Sequence, residues 1–259
     1  YHSPRNRIIT HGVDTTIFYK HSNDIVRKEI RKTYNVKDTD ILMINIGAMT
    51  TNKGILLTLE ALHLLVNKLK KTYYKLLLKG SGDLYQCKEF LEAYFIQFKQ
   101  KGIMTQSEID NLYNHIIFTN KTLSYSKIND LFNAADIYIS PYLAEGFGLT
   151  MMESLAAGLN VLVPRTGSTH EYMNDICSNG GSDYIFYVNS EVTVDANELC
   201  QNNITMNNLI STLLNNEEKF KIPKAYETYI NMKQYIEKDY SWYKVAELLY
   251  DYLNDIVNT

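Results

Sequence analysis

Two carboxylates, Glu145 and Glu153, stand on either side of the run Gly146-Phe147-Gly148-Leu149-Thr150. The two glycines fall just ahead of an apolar period that reads as a helix, where a missing Cβ lets the backbone come close to a ligand. The first-turn amides and dipole of such a helix attract anions, and a diphosphate suits that position. Carboxylates beside a phosphate do not hold it. Their natural partners are neutral hydroxyls, such as those of a ribose or a sugar ring, for which a carboxylate is a strong acceptor. A cation for the phosphate is offered by Lys53, which lies beyond a strand-like run and Gly47 and directly before Gly54. Each residue has a plainer reading. Lys53 can be a solvated lysine at a helix start, and Glu153 an acid that complements a helix N-terminus. Glu145 can be a loop surface charge, and Gly80-Ser81-Gly82 only a turn. The shared context of strand, glycine and helix favours a site.

The elements that must position these residues are legible as period. Ile41–Ile46 is a continuous apolar run of strand length that ends at Gly47. Residues 54–70 follow with a helical period that places Leu57, Ala61, Leu62, Leu65 and Leu69 on one face. Residues 74–78 form the next strand, closed by Lys79-Gly80-Ser81-Gly82, with Asp83 placed to cap a helix over residues 84–99. A polar helical stretch over residues 105–113 precedes a short strand, Ile116–Thr119. Ser124 then caps a helix through Ala134, and residues 136–140 form a strand. Residues 149–157 form a helix that Gly158 is placed to stop. Strands follow at residues 160–163, ended by Pro164, and at residues 183–188, and the chain is helical from about Met206 onward. Alternating strands and helices with continuous apolar strands imply an α/β fold, a Rossmann-like parallel sheet with helices on both faces. Such sheets bind ligands at the carboxyl ends of their strands. The loops at residues 47–53, 79–83, 119–124 and 142–149 are therefore the ones that carry chemistry.

Bulk composition narrows the function classes. The 259 residues suffice for one large α/β domain or two small ones. A net charge of -3 supplies no basic field for nucleic acid. No apolar run is long enough for a transmembrane segment. Cys87, Cys177 and Cys200 are an odd set without close pairing, which fits thiols in a reducing, cytoplasmic setting. The scattered histidines form no metal-ligand pattern, so no metal and no cofactor beyond the donor substrate are expected. Tyr1 opens the chain without a secretory signal, and the sequence reads as a fragment or excised domain.

The stretch from Pro141 to Gly158 resembles the Glu-x7-Glu signature of retaining family 4 glycosyltransferases, enzymes of the GT-B fold. It keeps Pro141, Glu145, Gly146, Phe147, Gly148, Leu149, Glu153, Ala156 and Gly158, with Tyr142 and Ser154 in place of the usual Ser and Ala. Further resemblances follow in order: His11-Gly12-Val13-Asp14 with Phe18 for the interdomain linker, Gly47 through Lys53-Gly54 for the phosphate loop, Gly80-Ser81-Gly82, and Tyr240-Ser241-Trp242 before the last helix. The resemblance implies an interdomain linker over residues 1–18, a donor-binding domain over residues 19–238 and a C-terminal crossover helix over residues 239–259. It implies a metal-independent, retaining enzyme that takes a UDP- or GDP-sugar and an unknown acceptor (glycan, lipid or protein), with the acceptor domain missing from this chain. The base would lie near residues 119–122, Thr122 among them. The ribose would bond Glu153, and the diphosphate would meet Lys53 and the amides from Phe147 to Thr150. Glu145 would face the sugar, and Gly47 and Gly80 would flank the donor. His170 and Glu171 fall in a loop near the donor in the family.

One departure matters. The family usually has Arg directly after the first glycine, and this chain has Ala48. Lys53 remains, and Lys79 or Lys121 are candidates for the second cation. Three rival readings stay open: a pseudo-enzyme that binds nucleotide sugar without turnover, a sugar-nucleotide epimerase or phosphorylase on a similar fold, and an NAD enzyme. The last lacks a G-x-G-x-x-G after the first strand, and no pyridoxal-lysine pattern supports a phosphorylase.

Overall fold

A computed structural model describes residues 8–80, 86–194, 200–222 and 224–257. Helix α1 (Ile25–Thr33) leads into strand β1 (Ile41–Ile46), followed by α2 (Ile55–His63), β2 (Tyr74–Lys79), α3 (Cys87–Gln100), α4 (Gln106–Tyr113), β3 (Ile116–Thr119), α5 (Tyr125–Ala134), β4 (Ile137–Ile139), α6 (Leu149–Ala156), β5 (Asn160–Pro164), α7 (His170–Ile176) and β6 (Ile185–Val188). A hairpin of β7 (Glu191–Val194) and β8 (Cys200–Asn203) comes next, then α8 (Met206–Asn215), α9 (Glu217–Lys221), α10 (Tyr226–Tyr240) and α11 (Trp242–Val257).

The first six strands form one sheet in the order β3-β2-β1-β4-β5-β6, and every pairing in it is parallel. Alternate side chains of each strand enter opposite cores, as the pleat requires. Leu42 and Ile44 face a core shared with α5, α6, α7 and α10, while Ile41 and Met43 face one shared with α2, α3, α4 and α8. Helices thus cover both faces, as the apolar strands imply. The order reverses direction between β1 and β4, the switch point at which doubly wound sheets open a crevice at their carboxyl edge.

The amino edge is closed by a buried ion cluster. Arg31, 1% exposed, donates to Asp136 Oδ2 at 3.1 Å and to the carbonyls of Lys37 and Asp40 at 2.6 and 2.7 Å. Arg27 Nη2 reaches Asp136 Oδ1 at 2.6 Å, and the Leu42 amide donates to Asp136 Oδ2 at 2.7 Å. One carboxylate therefore ties α1 to the first residues of β1 and β4, and backbone carbonyls take the other Nη donors of Arg31, while its buried Nε has no partner among the described residues.

Several boundaries follow local chemistry. Thr105 and Glu108 form a reciprocal capping box that starts the polar helix α4. Ser124 accepts from the Lys127 amide at 3.3 Å and starts α5. Gly158 (φ 73°) ends the α6 turn in the left-handed region. The helix expected over residues 54–70 is corrected: α2 passes into a π-turn at Leu64–Lys68, where the Leu69 amide reaches back to Leu64 O at 2.8 Å. The wider turn rotates the face, so Leu69 is 48% exposed and the buried residues there are Leu65, Val66 and Asn67. His170 and Glu171 open helix α7 and do not lie in a loop. The β7–β8 hairpin and α1 were not expected from period. Asp83, Ser81 and Gly82 lie outside the described residues.

The tightest backbone approach lies at the switch point. Gly54 (φ 70°) starts α2, and a Cβ built on it would stand 2.0 Å from the Pro141 carbonyl oxygen after β4. Gly54→Ala is expected to destabilise the chain by about 2–5 kcal/mol, combining left-handed strain with overpacking. Gly102→Ala, at a left-handed position (φ 67°) where a Cβ meets nothing within 4 Å, isolates the strain alone. It should cost about 1–2 kcal/mol. Urea unfolding of both variants and the parent checks the difference.

Candidate functional site

The loops after β1 and β4 meet across the switch point. Thr51–Lys53 forms a single 3₁₀ turn between Gly47 and Gly54. From it, the Asn52 carbonyl accepts the Leu143 and Ala144 amides at 2.8 and 3.3 Å, and the Asn52 side-chain amide donates to Ala144 O at 3.2 Å. This backbone lock sets Lys53 Nζ 2.5 Å from Glu145 Oε2. The pair is mostly shielded, with side chains 31% and 13% exposed. Glu145 Oε1 also accepts the Gly146 amide at 3.1 Å. The residues singled out for a cation and a carboxylate therefore meet, although 92 positions separate them.

Gly148 (φ 78°) supplies the left-handed turn that starts α6, and its carbonyl takes the Met151 and Met152 amides. A Cβ at Gly146 would meet nothing within 4 Å, so packing does not demand glycine there. Thr150 Oγ1 is 2.8 Å from the Tyr138 hydroxyl, which donates to Ile46 O at 3.2 Å. Buried Tyr138 thus couples the end of β1 to the first turn of α6. Phe147 stacks on Tyr172 at 4.7 Å and meets His11 edge-on at 5.5 Å, and the Tyr172 hydroxyl donates to Phe147 O. His11 in turn lies 6.1 Å from Trp242, and Val13 N bonds Tyr240 O at 2.8 Å, so the His11–Asp14 segment and the Tyr240–Trp242 junction lie together behind the site loop.

Glu153 lies one turn into α6. Among the described residues its carboxyl has no hydrogen-bond or ion-pair partner. Burial pushes its pKa up to about 7. Glu145 and Glu153 thus occupy opposite environments, one tied to an ammonium and an amide, the other desolvated and unanswered.

Gly47 (φ 144°) has open space where a Cβ would be, so its backbone conformation alone demands glycine. Gly80 is packed: a Cβ would stand 2.7 Å from Cys87 Cβ. Thr122 and Lys121 are exposed at the carboxyl edge beyond β3, and Leu149 is 37% exposed on the first turn of α6. Lys79 is buried at the end of β2, where its Nζ donates to Gly80 O at 2.7 Å. Desolvation lowers its pKa, partly offset by the Cys87 thiol. Tyr142, in place of the family's Ser, is wholly buried, and its hydroxyl lies 2.6 Å from Thr169 Oγ1. Among the described residues no group of three or more His, Cys, Asp and Glu side chains could hold a metal ion.

Residues 26–193 match the family model described as glycosyl transferases group 1. The chain belongs to that family. It is 23% identical over 165 residues to an uncharacterized glycosyltransferase of Methanocaldococcus jannaschii, a match over 64% of this chain and 37% of the relative's length. The C-terminal domain of LpcC, a group 1 glycosyl transferase of Francisella tularensis, superposes with a TM-score of 0.58 at 19% identity, over 89% of this chain and all of that domain. Anabaena HepE in complex with UDP and glucose superposes with a TM-score of 0.64 at 14% identity, over 96% of this chain and 57% of HepE. The fold is thus that of a GT-B glycosyl transferase. The chain spans little more than a third of the curated relative and just over half of HepE.

In this member of the group 1 family, sequence reasoning missed the parts that hold the site residues in place: Asn52, Tyr138, Tyr172 and Ser168, whose hydroxyl donates to Glu145 O. Their signal was long-range, since each joins segments far apart in the chain.

The environment of Glu153 sets a pH dependence of stability. Its folded-state pKa of about 7 lies above the ordinary carboxyl value of 4.5, so the folded chain holds its proton to higher pH than the unfolded chain. Stability is therefore lost as pH rises from 4.5 to 7, with the full cost present above 7. Glu153→Gln should match the parent at pH 4 and exceed it by up to about 3 kcal/mol at pH 8. Urea unfolding of both proteins across that range checks it.

Proposed function

We propose that this chain is the donor-binding half of a glycosyltransferase that moves a sugar from a nucleoside diphosphate, UDP or GDP, to an acceptor with retention at the anomeric carbon. The observation that carries the reading is the Lys53–Glu145 pair at 2.5 Å, beside the Gly148-started helix that carries Glu153, whose carboxyl has no partner among the described residues. A diphosphate is the ligand that answers a helix N-terminus and an adjacent ammonium together. A ribose diol answers a desolvated carboxyl that has no donor of its own. The open space at Gly146 leaves room for a ligand to come against the backbone. HepE, of the same fold, carries UDP and glucose in its complex.

In this reading the diphosphate meets Lys53 and the amides from Phe147 to Thr150, the ribose bonds Glu153, and the base lies towards Thr122. Glu145 faces the sugar, orients it and stabilises positive charge as it develops at the anomeric carbon. Lys53 and the helix end carry the leaving diphosphate without a metal. The acceptor and the domain that binds it are contributed from outside this chain. Ala48 favours a second reading, a nucleotide-sugar binder without turnover, because Lys79 is committed to Gly80 O and adds no evident cation. Turnover assays of the full-length protein separate the two.

A melting-temperature panel is the first test, since a ligand that binds the native state raises it. UDP, GDP or their sugars should raise it and NAD should not, with EDTA leaving the shift intact. A shift with NAD alone, or one abolished by EDTA and restored by magnesium or manganese, would overturn the reading. Titration calorimetry then separates the carboxylates. Glu153→Ala should cost about 1.5–3 kcal/mol of affinity for nucleoside diphosphate and nucleotide sugar alike. Glu145→Ala should leave nucleoside diphosphate binding nearly intact, and Lys53→Ala should weaken both ligands. Equal losses for Glu145→Ala with both ligands would misplace that carboxylate.

A further inference from the structure

The amino edge of the sheet, opposite the Lys53 and Glu145 loops, has a cavity of about 220 Å³. It opens beyond the first residues of β4 and β5, between the turn that ends α6, the entry segment at Lys20-His21 and the connector after α9. Buried Asn160 ties these walls together, since its side-chain amide donates to the carbonyls of Asp136 and Phe220 at 2.7 and 3.3 Å. Most charges on the walls are already answered. Arg27 bonds Asp136 and the carbonyls of Ala134 and Ala135, His21 lies 3.0 Å from Asp130, and Lys221 donates to Thr39 O at 2.5 Å. Ala156 O, at the end of α6, accepts the Tyr229 hydroxyl at 3.1 Å.

Two ammoniums are left short of acceptors. Lys20 is half-buried, with its stem against Gly158 and its Nζ 5.9 Å from the centre of the Tyr229 ring. That Nζ has no hydrogen-bond or ion-pair partner among the described residues. Lys224, also half-buried, donates to a single carbonyl, Lys219 O at 2.8 Å, and its Nζ lies 5.9 Å from the Phe186 ring. Burial pushes both ammoniums towards the neutral form, and the charge on Lys20 adds to that pressure on Lys224. Asp24 opposes the shift at Lys20 and Asp183 at Lys224, but neither carboxylate forms an ion pair with them.

We propose that this cavity is a second ligand site, which takes the phosphate of a small phosphate monoester. Two shielded ammoniums that repel each other in one cavity are stabilised by an anion between them. A carboxylate brings a single charge. A phosphate monoester brings about 1.5–2 negative charges at pH 7 and three acceptor oxygens, so it answers both lysines through charge-assisted bonds. The cavity holds roughly seven waters at about 30 Å³ each, room for a phosphate and a few carbon atoms. Phe132, Leu159 and Phe220 offer the carbon part an apolar wall. No residue of this cavity belongs to the donor site proposed above. The two lie at opposite ends of α6, which starts at Gly148 and ends at the cavity.

The experiment uses this chain with glycerol 3-phosphate, with acetate and glycerol as controls. Lys53→Met serves as a background in which the loop after β1 offers phosphate no ammonium. Calorimetry should show glycerol 3-phosphate bound by the parent and by Lys53→Met alike, and neither control bound. Lys20→Met and Lys224→Met keep an apolar stem and should each bind it about tenfold or more weakly. Lys20→Met should melt no lower than the parent in phosphate-free buffer, which separates loss of the ligand from loss of the fold. Acetic anhydride labelling read by mass spectrometry localises the site: glycerol 3-phosphate should slow labelling of Lys20 several-fold and leave exposed Lys28 unchanged. Vesicles of phosphatidylcholine with and without phosphatidic acid form a second arm. Retention on phosphatidic acid that is lost in Lys20→Met, with no binding of the free ester, would assign the phosphate to a lipid headgroup at this same site. Failure of both arms, binding that survives Lys20→Met but is lost in Lys53→Met, or equal protection of Lys20 and Lys28 would overturn the site. Acetate bound as tightly as glycerol 3-phosphate would overturn the choice of phosphate.

Discussion

The contact on which the site depends is the seating of the Thr51–Lys53 turn against the start of the loop after β4. Gly54 admits the Pro141 carbonyl where any side chain would collide, and the Asn52 carbonyl takes two amides of the facing loop. Only a sheet that places β1 next to β4 brings these loops within reach, and the strand order does so at its point of reversal. The ion pair between Lys53 and Glu145 is a result of this backbone lock. An exposed pair of flexible side chains contributes little to stability. Here the loops have already been fixed by backbone hydrogen bonds, so less side-chain freedom remains to be lost when the charges meet.

The two carboxylates show how one short segment creates two electrostatic settings. Glu145 lies in the loop, where a cation and a backbone amide answer it. Glu153 lies on α6 past the reach of the free amides of the first turn, with neighbours that remove water and donate nothing. A half-buried carboxyl with no protein donor costs stability when it is charged, because water answers it only in part. The same feature gives a hydroxyl donor a partner that is already desolvated. In the donor-binding reading proposed above, stability is traded locally for a prepared acceptor.

Much of the fold was legible because its signals are local. Strand β1 and strand β3 were expected at their observed limits, and the Ser124 and Thr105 helix starts follow from side-chain oxygens placed ahead of helical period. The pairing of Lys53 with Glu145 was legible only as two residues assigned to adjoining parts of one donor, the diphosphate and the sugar, because spacing along the chain does not encode a contact between two loops. The π-turn at Leu64–Lys68 was invisible to a method that counts at 3.6 residues per turn. The β7–β8 hairpin escaped for a different reason. Its strands are short and mostly exposed, with no continuous apolar run, and Cys200-Gln201-Asn202-Asn203 carries none of the β-branched residues that mark a strand. Its register is set by Asn202 reaching the site loop, a tertiary cause.

The Arg31–Asp136 cluster has a consequence for how this molecule can vary. It binds α1, the turn at residues 37–40 and the first residues of β1 and β4 at the edge of the sheet remote from Lys53 and Glu145. Strand alignment is thus enforced from one end, by groups that touch nothing at the other. Loops at the carboxyl edge can change length and composition while the scaffold beneath them keeps its register. That division of labour makes the chain evolvable: new ligand preferences can be tried at one edge without renegotiating the stability secured at the other.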